Sequence, residues 1–285
     1  MKVFDDRLNA LGEGPLWHPE RGCLFWFDIL GRKMFSKGPD DKQEWSFDEH
    51  FSAAGWVDRD TLLLASETGL WRFAIPDGGL EKLSDLDAEN PVTRSNDGRA
   101  DPWGGFWIGT MGKGMEPGAG AIYRYYRGEV RTLQSSVTVS NAICFSPDRR
   151  YAYSTDTVTQ KILRWPLDAQ DGWPAGPAKV FIDLSGTKLF PDGAVTDAAG
   201  NLWCAIWGSA CMICFDTTGT ETRRIEVPAR QASCPAFGGP NLRDLYVTSA
   251  RDGLREEELA SRPLNGATFW QQDVAQGRAE YRVIL

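Results

Sequence analysis

Asn141-Ala142-Ile143-Cys144-Phe145-Ser146-Pro147-Asp148-Arg149-Arg150-Tyr151-Ala152-Tyr153 is the stretch that decides the fold. A polar start leads into an apolar run, a Pro-Asp-Arg-Arg turn follows, and a Tyr-rich run comes back. That is a hairpin of two short strands. The same plan recurs from Gly14 to Trp26, Ala54 to Leu64, Asn96 to Trp107, Asp192 to Trp203 and Pro235 to Tyr246. The six starts, near positions 13, 55, 96, 141, 192 and 236, lie 42, 41, 45, 51 and 44 residues apart. A repeat of about 40–50 residues is the mark of propeller blades, each a four-stranded sheet. A second hairpin usually follows the first, as in Ala121–Tyr125 leading to Gly128–Val130, or Met212–Phe215 leading to Gly219–Glu221.

The expected fold is therefore all-β: a six-bladed β-propeller of four-stranded antiparallel blades, a single domain over residues 1–285. Helical periodicity is absent except for a turn at Glu256–Ala260. A ring must not leave an open sheet edge. The N-terminal strand near Val3–Asp5 is expected to pair with the C-terminal blade, about residues 267–285.

Bulk properties narrow the function. Lys and Arg number 31 against 39 Asp and Glu, a formal charge of −8, which argues against a nucleic-acid binder and gives no support for an anionic membrane surface as partner. The start of the chain, Met1-Lys2-Val3-Phe4-Asp5-Asp6-Arg7, has no apolar stretch after its basic residue and does not read as a secretory signal. No apolar run approaches a membrane span, so a cytoplasmic protein is expected. Cys23, Cys144, Cys204, Cys211, Cys214 and Cys234 sit mostly in apolar stretches and read as buried free thiols. Cys211 and Cys214 have CxxC spacing, but on a strand residues three apart face opposite ways and cannot converge on one metal. The twelve Trp suit rings packed between stacked sheets.

In a propeller the first strand of each blade lines the central channel, so residues far apart in sequence meet at the axis. The six starts place Glu13, Gly55, Asn96, Asn141, Asp192 and Ala236 there. Four carry side-chain oxygen and two of those are carboxylates, a set suited to a hard divalent cation. Asn and Asp also serve turns, and composition alone leaves that reading open beside the metal one. Only two His occur, His18 and His50, which sets aside a His-based acid–base pair. His18 reads as structural at a blade turn, while His50 follows Glu49 in a loop within reach of the funnel mouth. Asp156 and Trp207 are candidates for the funnel wall. Gly112-Lys113-Gly114 and Gly118-Ala119-Gly120 do not open a helix after a strand, so no nucleotide site is implied, and no Gly-x-Ser-x-Gly elbow is present.

Leu11-Gly12-Glu13-Gly14-Pro15, Arg94-Ser95-Asn96-Asp97-Gly98, Gly109-Thr110-Met111, Ser140-Asn141, and Pro191-Asp192-Gly193 with Gly200-Asn201-Leu202-Trp203 together resemble the signature segments of the senescence marker protein/regucalcin/gluconolactonase family. The resemblance runs through essentially the whole chain in the right order and is strongest to the bacterial sugar-lactone hydrolases. It implies one divalent metal ion, drawn from Ca²⁺, Mg²⁺, Mn²⁺, Fe²⁺ and Zn²⁺, held by Glu13, Asn141 and Asp192 with water. It implies substrate contacts from Arg94 and Asn96, with Asp192 as general base, and a small sugar lactone as partner. Two departures stand out. Ala142 follows Asn141 where the family often has Gly, and the acidic contact that some members place after Gly-Thr-Met falls on Gly112-Lys113-Gly114-Met115-Glu116. Glu116 is the candidate for that contact, with Lys113 as its rival. A phosphotriester hydrolase and a calcium-binding regulatory protein are the competing functions.

Overall fold

The computed structural model describes residues 1–39 and 41–285. Six four-stranded antiparallel sheets make up the molecule. Blade 1 comprises Gly12–His18, Cys23–Asp28, Lys33–Lys37 and Lys42–Ser46, and blade 2 Phe51–Asp58, Thr61–Ser66, Gly69–Ala74 and Leu80–Asp85. Blade 3 comprises Thr93–Ala100, Phe106–Gly112, Gly120–Tyr126 and Glu129–Val137, and blade 4 Ser140–Phe145, Tyr151–Asp156, Lys161–Pro166 and Lys179–Asp183. Blade 5 comprises Phe190–Thr196, Leu202–Trp207, Cys211–Phe215 and Glu221–Glu226. Blade 6 takes Gln231–Gly238, Asp244–Ala250 and Thr268–Gln271 from the C-terminal part and Lys2–Asp5 as its outer strand. Each first strand touches the first strands of the blades on both sides, and the round closes between blades 6 and 1. This is the six-bladed propeller that the repeat predicts. The one α-helix among the described residues is Glu256–Ser261.

The expected closure is present. Lys2 pairs with Trp270 and Val3 with Phe269. Asp5 is buried under this seam and accepts from Arg7 Nε at 2.8 Å, while Lys42 Nζ of blade 1 lies 3.1 Å away. Arg7 in turn donates to Gln43 O and lies over the rings of Trp26 and Phe35.

Between blades the filling is apolar and aromatic. Leu16, Phe25 and Phe27 of blade 1 meet Leu62, Leu64 and Phe73 of blade 2. Trp107 of blade 3, fully buried, meets Phe145 and Trp165 of blade 4 edge-on. Such pairs give a seam geometry as well as buried area. The six cysteines are all free thiols. Cys211 packs into the seam between blades 4 and 5 and Cys214 into that between 5 and 6, the opposite faces that strand alternation requires.

One feature recurs at the axis. Within the first strands, pairing to the second strand slips across Glu13–Leu16, Phe51–Ala53, Ser95–Gly98, Asn141–Cys144, Pro191–Ala194 and Ala232–Pro235. Each is a bulge, an extra residue on the inner strand that bends it and re-aims a side chain. The repeat count placed Gly55 and Ala236 at the axis in blades 2 and 6. Ser52 and Ser233 fall in the bulges of these two strands instead, fully buried and bonded to Ser95 and to Gly12 O of the neighbouring blades. Gly55 lies further along its strand, where a Cβ would come within 2.5 Å of Val283, and Ala236 packs with Trp17 and Tyr246. Period counting cannot see the inserted residue.

The chain beyond Gln271 crosses the end of the channel opposite the strand starts. It bonds to blade 6 through Gly277 N to Leu242 O, and to blade 5 through Ala198 N to Gln276 O. It then reaches blade 2 through Val283 N to Trp56 O and blade 3 through Ile284 N to Gly104 O. At the axis Glu280 meets Arg99, both buried. Arg99 also lies 3.3 Å from the carbonyls of Ile143, Ala194 and Pro235, so one guanidinium fastens blades 4, 5 and 6 to the tail.

Candidate functional site

The first strand of blade 3 shows where the chemistry lies. All of Thr93–Ala100 is buried, yet it carries Arg94, Ser95, Asn96, Asp97 and Arg99. Buried polar groups persist only where they find partners, and here they form a chain. Arg94 Nη1 donates to Asn96 Oδ1 at 2.7 Å and to Ser95 O at 2.9 Å. Asn96 Nδ2 donates to Asn141 Oδ1 at 3.0 Å and to Ser140 O at 2.9 Å. Asn141 Nδ2 donates to Thr157 Oγ1 at 2.9 Å, which donates to Pro191 O at 2.8 Å, next to Asp192. The relay runs from blade 3 through blade 4 to blade 5. It turns the amide oxygen of Asn141 away from Thr157 and holds it in one orientation.

Glu13 and Asp192 complete the ring, each about 5% exposed or less. Burial raises the Glu13 carboxyl, and Asp97 raises it further; the Gly14 N–H and Arg94 only partly offset this. Burial likewise pushes Asp192 well up, followed by the charges of Glu13 and Asp97. Asp97 sits deeper, accepts from Ile143 N at 2.7 Å, and is raised to about 6, chiefly by burial and against the pull of Arg99. Like charges crowded in a dry place disfavour ionisation unless a cation joins them. Arg94, lowered to about 10 by burial, is surrounded by the charges of Glu13, Asp252, Asp192 and Glu67. Among the described residues its Nε and Nη2 have no hydrogen-bond partner.

The structure thus brings Glu13, Arg94, Asn96, Asn141 and Asp192 into one funnel. Among the described residues no group of three His, Cys, Asp or Glu side chains stands close enough to hold a metal ion. A cation here would rest on the carboxylates of Glu13 and Asp192, the Asn141 amide oxygen and water. That all-oxygen set, at the centre of mutually repelling buried carboxylates, fits a hard divalent ion.

Glu116 is exposed, and its Oε2 accepts from Gly114 N at 3.0 Å within its own turn. No hydrogen bond or ion pair joins it to Arg94 or Asn96 among the described residues. Lys113 reaches the other way and pairs with Glu67 of blade 2. His50 lies beside that pair, its Nδ1 3.2 Å from Glu67 Oε1, and its backbone N–H donates to the same oxygen at 3.1 Å. His18 is fully buried at the tail end, with Nε2 3.1 Å from Asp58 O, a structural place. Asp156 caps the turn before blade 4 by accepting from Thr138 and Val139 N–H. Trp207 packs partly buried against the seam that contains Leu11 and Ala250. Ala142 takes φ 56°, close to Gly14 at φ 54°, so the residue that replaces Gly adopts the glycine-like backbone. Asp97, Glu67 and Thr157 were not singled out from the sequence. Asp97 is adjacent to Asn96 in the signature, whereas Glu67 and Thr157 stand outside every repeat start and carry no local signal.

Comparison with known proteins gives consistent results. Residues 11–251 match the family described as SMP-30/Gluconolactonase/LRE-like region. A putative sugar lactone lactonase of Rhizobium meliloti is 37% identical over 281 residues, covering 98% of this chain and 95% of the relative. An L-arabinolactonase of Azospirillum brasilense is 34% identical over 287 residues, covering 98% and 94%. The crystal structure of a calcium-binding protein, regucalcin, from Agrobacterium tumefaciens superposes with a TM-score of 0.98 at 40% identity, covering 100% of this chain and 97% of that one.

Proposed function

Because the chain belongs to the SMP-30/gluconolactonase/LRE-like family, we propose that it hydrolyses a sugar lactone to the aldonic acid, with one divalent cation held by Glu13, Asn141 and Asp192. The observation that carries this reading is the funnel itself. Two buried carboxylates and a fixed amide oxygen stand beside a guanidinium with free donors, a place suited to a cation and a small polyhydroxylated ester.

A divalent cation in such a site supplies Lewis acidity toward the ester carbonyl and offsets the charge that develops on its oxygen. The protein's own groups do the rest. Asp192 takes the proton of the attacking water. Of the two carboxylates in the ligand set, Glu13 and Asp192, the family resemblance implies Asp192 for this role; Asn96 and Asn141 are amides and Arg94 is a cation. Arg94 presents Nε and Nη2 to lactone oxygens while Nη1 stays anchored on Asn96 and Ser95, so its fork is aimed before substrate arrives. Asn96 joins both halves of the site, its oxygen holding Arg94 and its nitrogen holding Asn141. The tail across the far end of the channel leaves the mouth as the approach for substrate. Calcium is the first cation to test, since the 40% identical regucalcin is described as a calcium-binding protein.

The test is initial-rate hydrolysis of a panel of aldonolactones by chelator-stripped protein, with Ca²⁺, Mg²⁺, Mn²⁺, Fe²⁺ and Zn²⁺ restored one at a time. Turnover of one lactone that returns with cation and disappears in Asp192→Ala is the expected result. Absence of cation-restored turnover of any lactone would overturn the proposal and leave phosphotriesters as the next substrates to try.

A further inference from the structure

We propose that Glu67 is a specificity-determining residue, the carboxylate that accepts hydrogen bonds from substrate hydroxyls at the funnel mouth, and that Lys113 positions it. This rests on the lactonase reading and goes beyond it by locating where hydroxyl stereochemistry is read.

The one acid of the loop after Gly109-Thr110-Met111, Glu116, is engaged within its own turn. Gly112 and Gly114 carry no side chain, and Glu116 folds back onto the N–H of Gly114 and stays exposed. Lys113 crosses from this loop to blade 2 and pairs with Glu67 Oε2, while its ammonium also donates to Pro91 O at 3.2 Å. On the other side the His50 N–H donates to Glu67 Oε1, and Glu67 N donates back to His50 O at 2.9 Å. The carboxylate is fixed from two blades, its side chain 13% exposed, with lone pairs left on both oxygens. Ser66, next to Glu67, pairs with Phe51 at the start of the inner strand of blade 2, so Glu67 lies at the mouth end of the channel, where its charge acts on Arg94. The Glu67 carboxylate can accept from one hydroxyl while the Lys113 ammonium beside it donates to the neighbouring hydroxyl, the pairing a vicinal diol requires. Glu67 serves as recognition acid from the neighbouring blade.

Cation-loaded full-length wild type, Glu67→Gln, Glu67→Asp, Lys113→Met and Glu116→Gln are compared on aldonolactones that differ in one hydroxyl configuration. Loss of a charged hydrogen bond to a buried ligand hydroxyl is worth roughly 10- to 100-fold in affinity. Glu67→Gln is expected to raise KM at least tenfold and flatten the preference between epimers, with kcat within about threefold. Lys113→Met moves the same quantities less, Glu67→Asp recovers part of the selectivity, and Glu116→Gln changes neither. A misfolded protein would not lower KM discrimination while preserving kcat. If Glu67→Gln leaves KM and the epimer ratios within twofold, or if Glu116→Gln moves them instead, the inference is overturned. The lactonase reading still stands in that case if Asp192→Ala is inactive. If the wild type turns over no lactone, calorimetric binding of the corresponding aldonates decides. Weaker binding by Glu67→Gln supports the assignment, and equal binding, or none by the wild type, overturns it.

Discussion

Replacing Glu13 by Gln should make the cation-free protein more stable at alkaline pH, an unusual outcome for a site residue. Glu13, Asp97 and Asp192 are all buried, and all are raised above the ordinary carboxylate range chiefly by burial, Glu13 further by Asp97, Asp192 further by Glu13 and Asp97, and Asp97 further by Glu280. A carboxyl whose folded pKa is raised binds its proton more tightly folded than unfolded. Stability is therefore greatest below the unfolded value and falls as pH rises through the folded one. Asp97 sets the scale. Its rise from 3.8 to about 6, at 1.36 kcal/mol per pH unit, means that ionising it costs folding about 3 kcal/mol. Glu13 is pushed up to about 8 but shares its repulsion with Asp192, so Glu13→Gln should return about 2–3 kcal/mol at pH 8.5. For a chain of this size that is about 5 °C in Tm. At pH 4.5 the wild-type carboxyl is already protonated when folded, and the gain should vanish. Adding cation reverses the order. At 100 times Kd the wild type gains about 2.7 kcal/mol, and the variant, with one charged ligand removed, gains far less. Thermal unfolding in chelator and in saturating Ca²⁺, at both pH values, reads all four quantities. Destabilisation of the chelated protein by Glu13→Gln at pH 8.5, or a chelated wild type that becomes more stable between pH 5 and 8.5, would refute the reasoning.

Other predictions concern the scaffold. Arg99→Met leaves Glu280 buried without its partner and should cost about 3–5 kcal/mol in urea unfolding, part of which Arg99→Met/Glu280→Gln recovers. In Gly193→Ala the new Cβ would meet Cys234 Sγ at 2.3 Å and its Cα at 2.8 Å. The strand beside Asp192 must then shift, and cation-restored activity should fall at least tenfold on the usual sensitivity of rate to small misplacement. The thiols are raised by burial, Cys23 to about 11. An aromatic disulfide reagent at pH 8 should find almost no fast-reacting thiol in the native protein and six after denaturation, and several fast thiols in the native state would contradict the packing.

Much of the architecture was legible because it is repetitive. Six hairpins one period apart can bury their faces only by stacking in a ring, and Val3–Asp5 had nowhere to pair but the last blade. Glu13, Asn96, Asn141 and Asp192 could be named because each opens a repeat with an oxygen-bearing side chain. Ser52 and Ser233 could not, since a bulge shifts the count without leaving a compositional trace. Asp97 was hidden by adjacency. Next to Asn96 it should face away on a regular strand, and only the slipped register keeps both in the network. Glu67 and Lys113 meet across two blades with no local pattern, and the path of the tail depends on contacts that no periodicity encodes.

The bulged inner strands give the ring six sockets around one axis, at the inserted residue or just before it. Four hold Glu13, Asn96, Asn141 and Asp192. Ser52 bonds sideways to Ser95 and Ser233 to the carbonyl of Gly12, so those two sockets hold short hydroxyls that close the wall without entering it. Both serines are fully buried, so a longer side chain in either socket has to break these sideways bonds before it can reach the axis. The part that folds and the part that faces the axis are thus carried by different positions of the same strand.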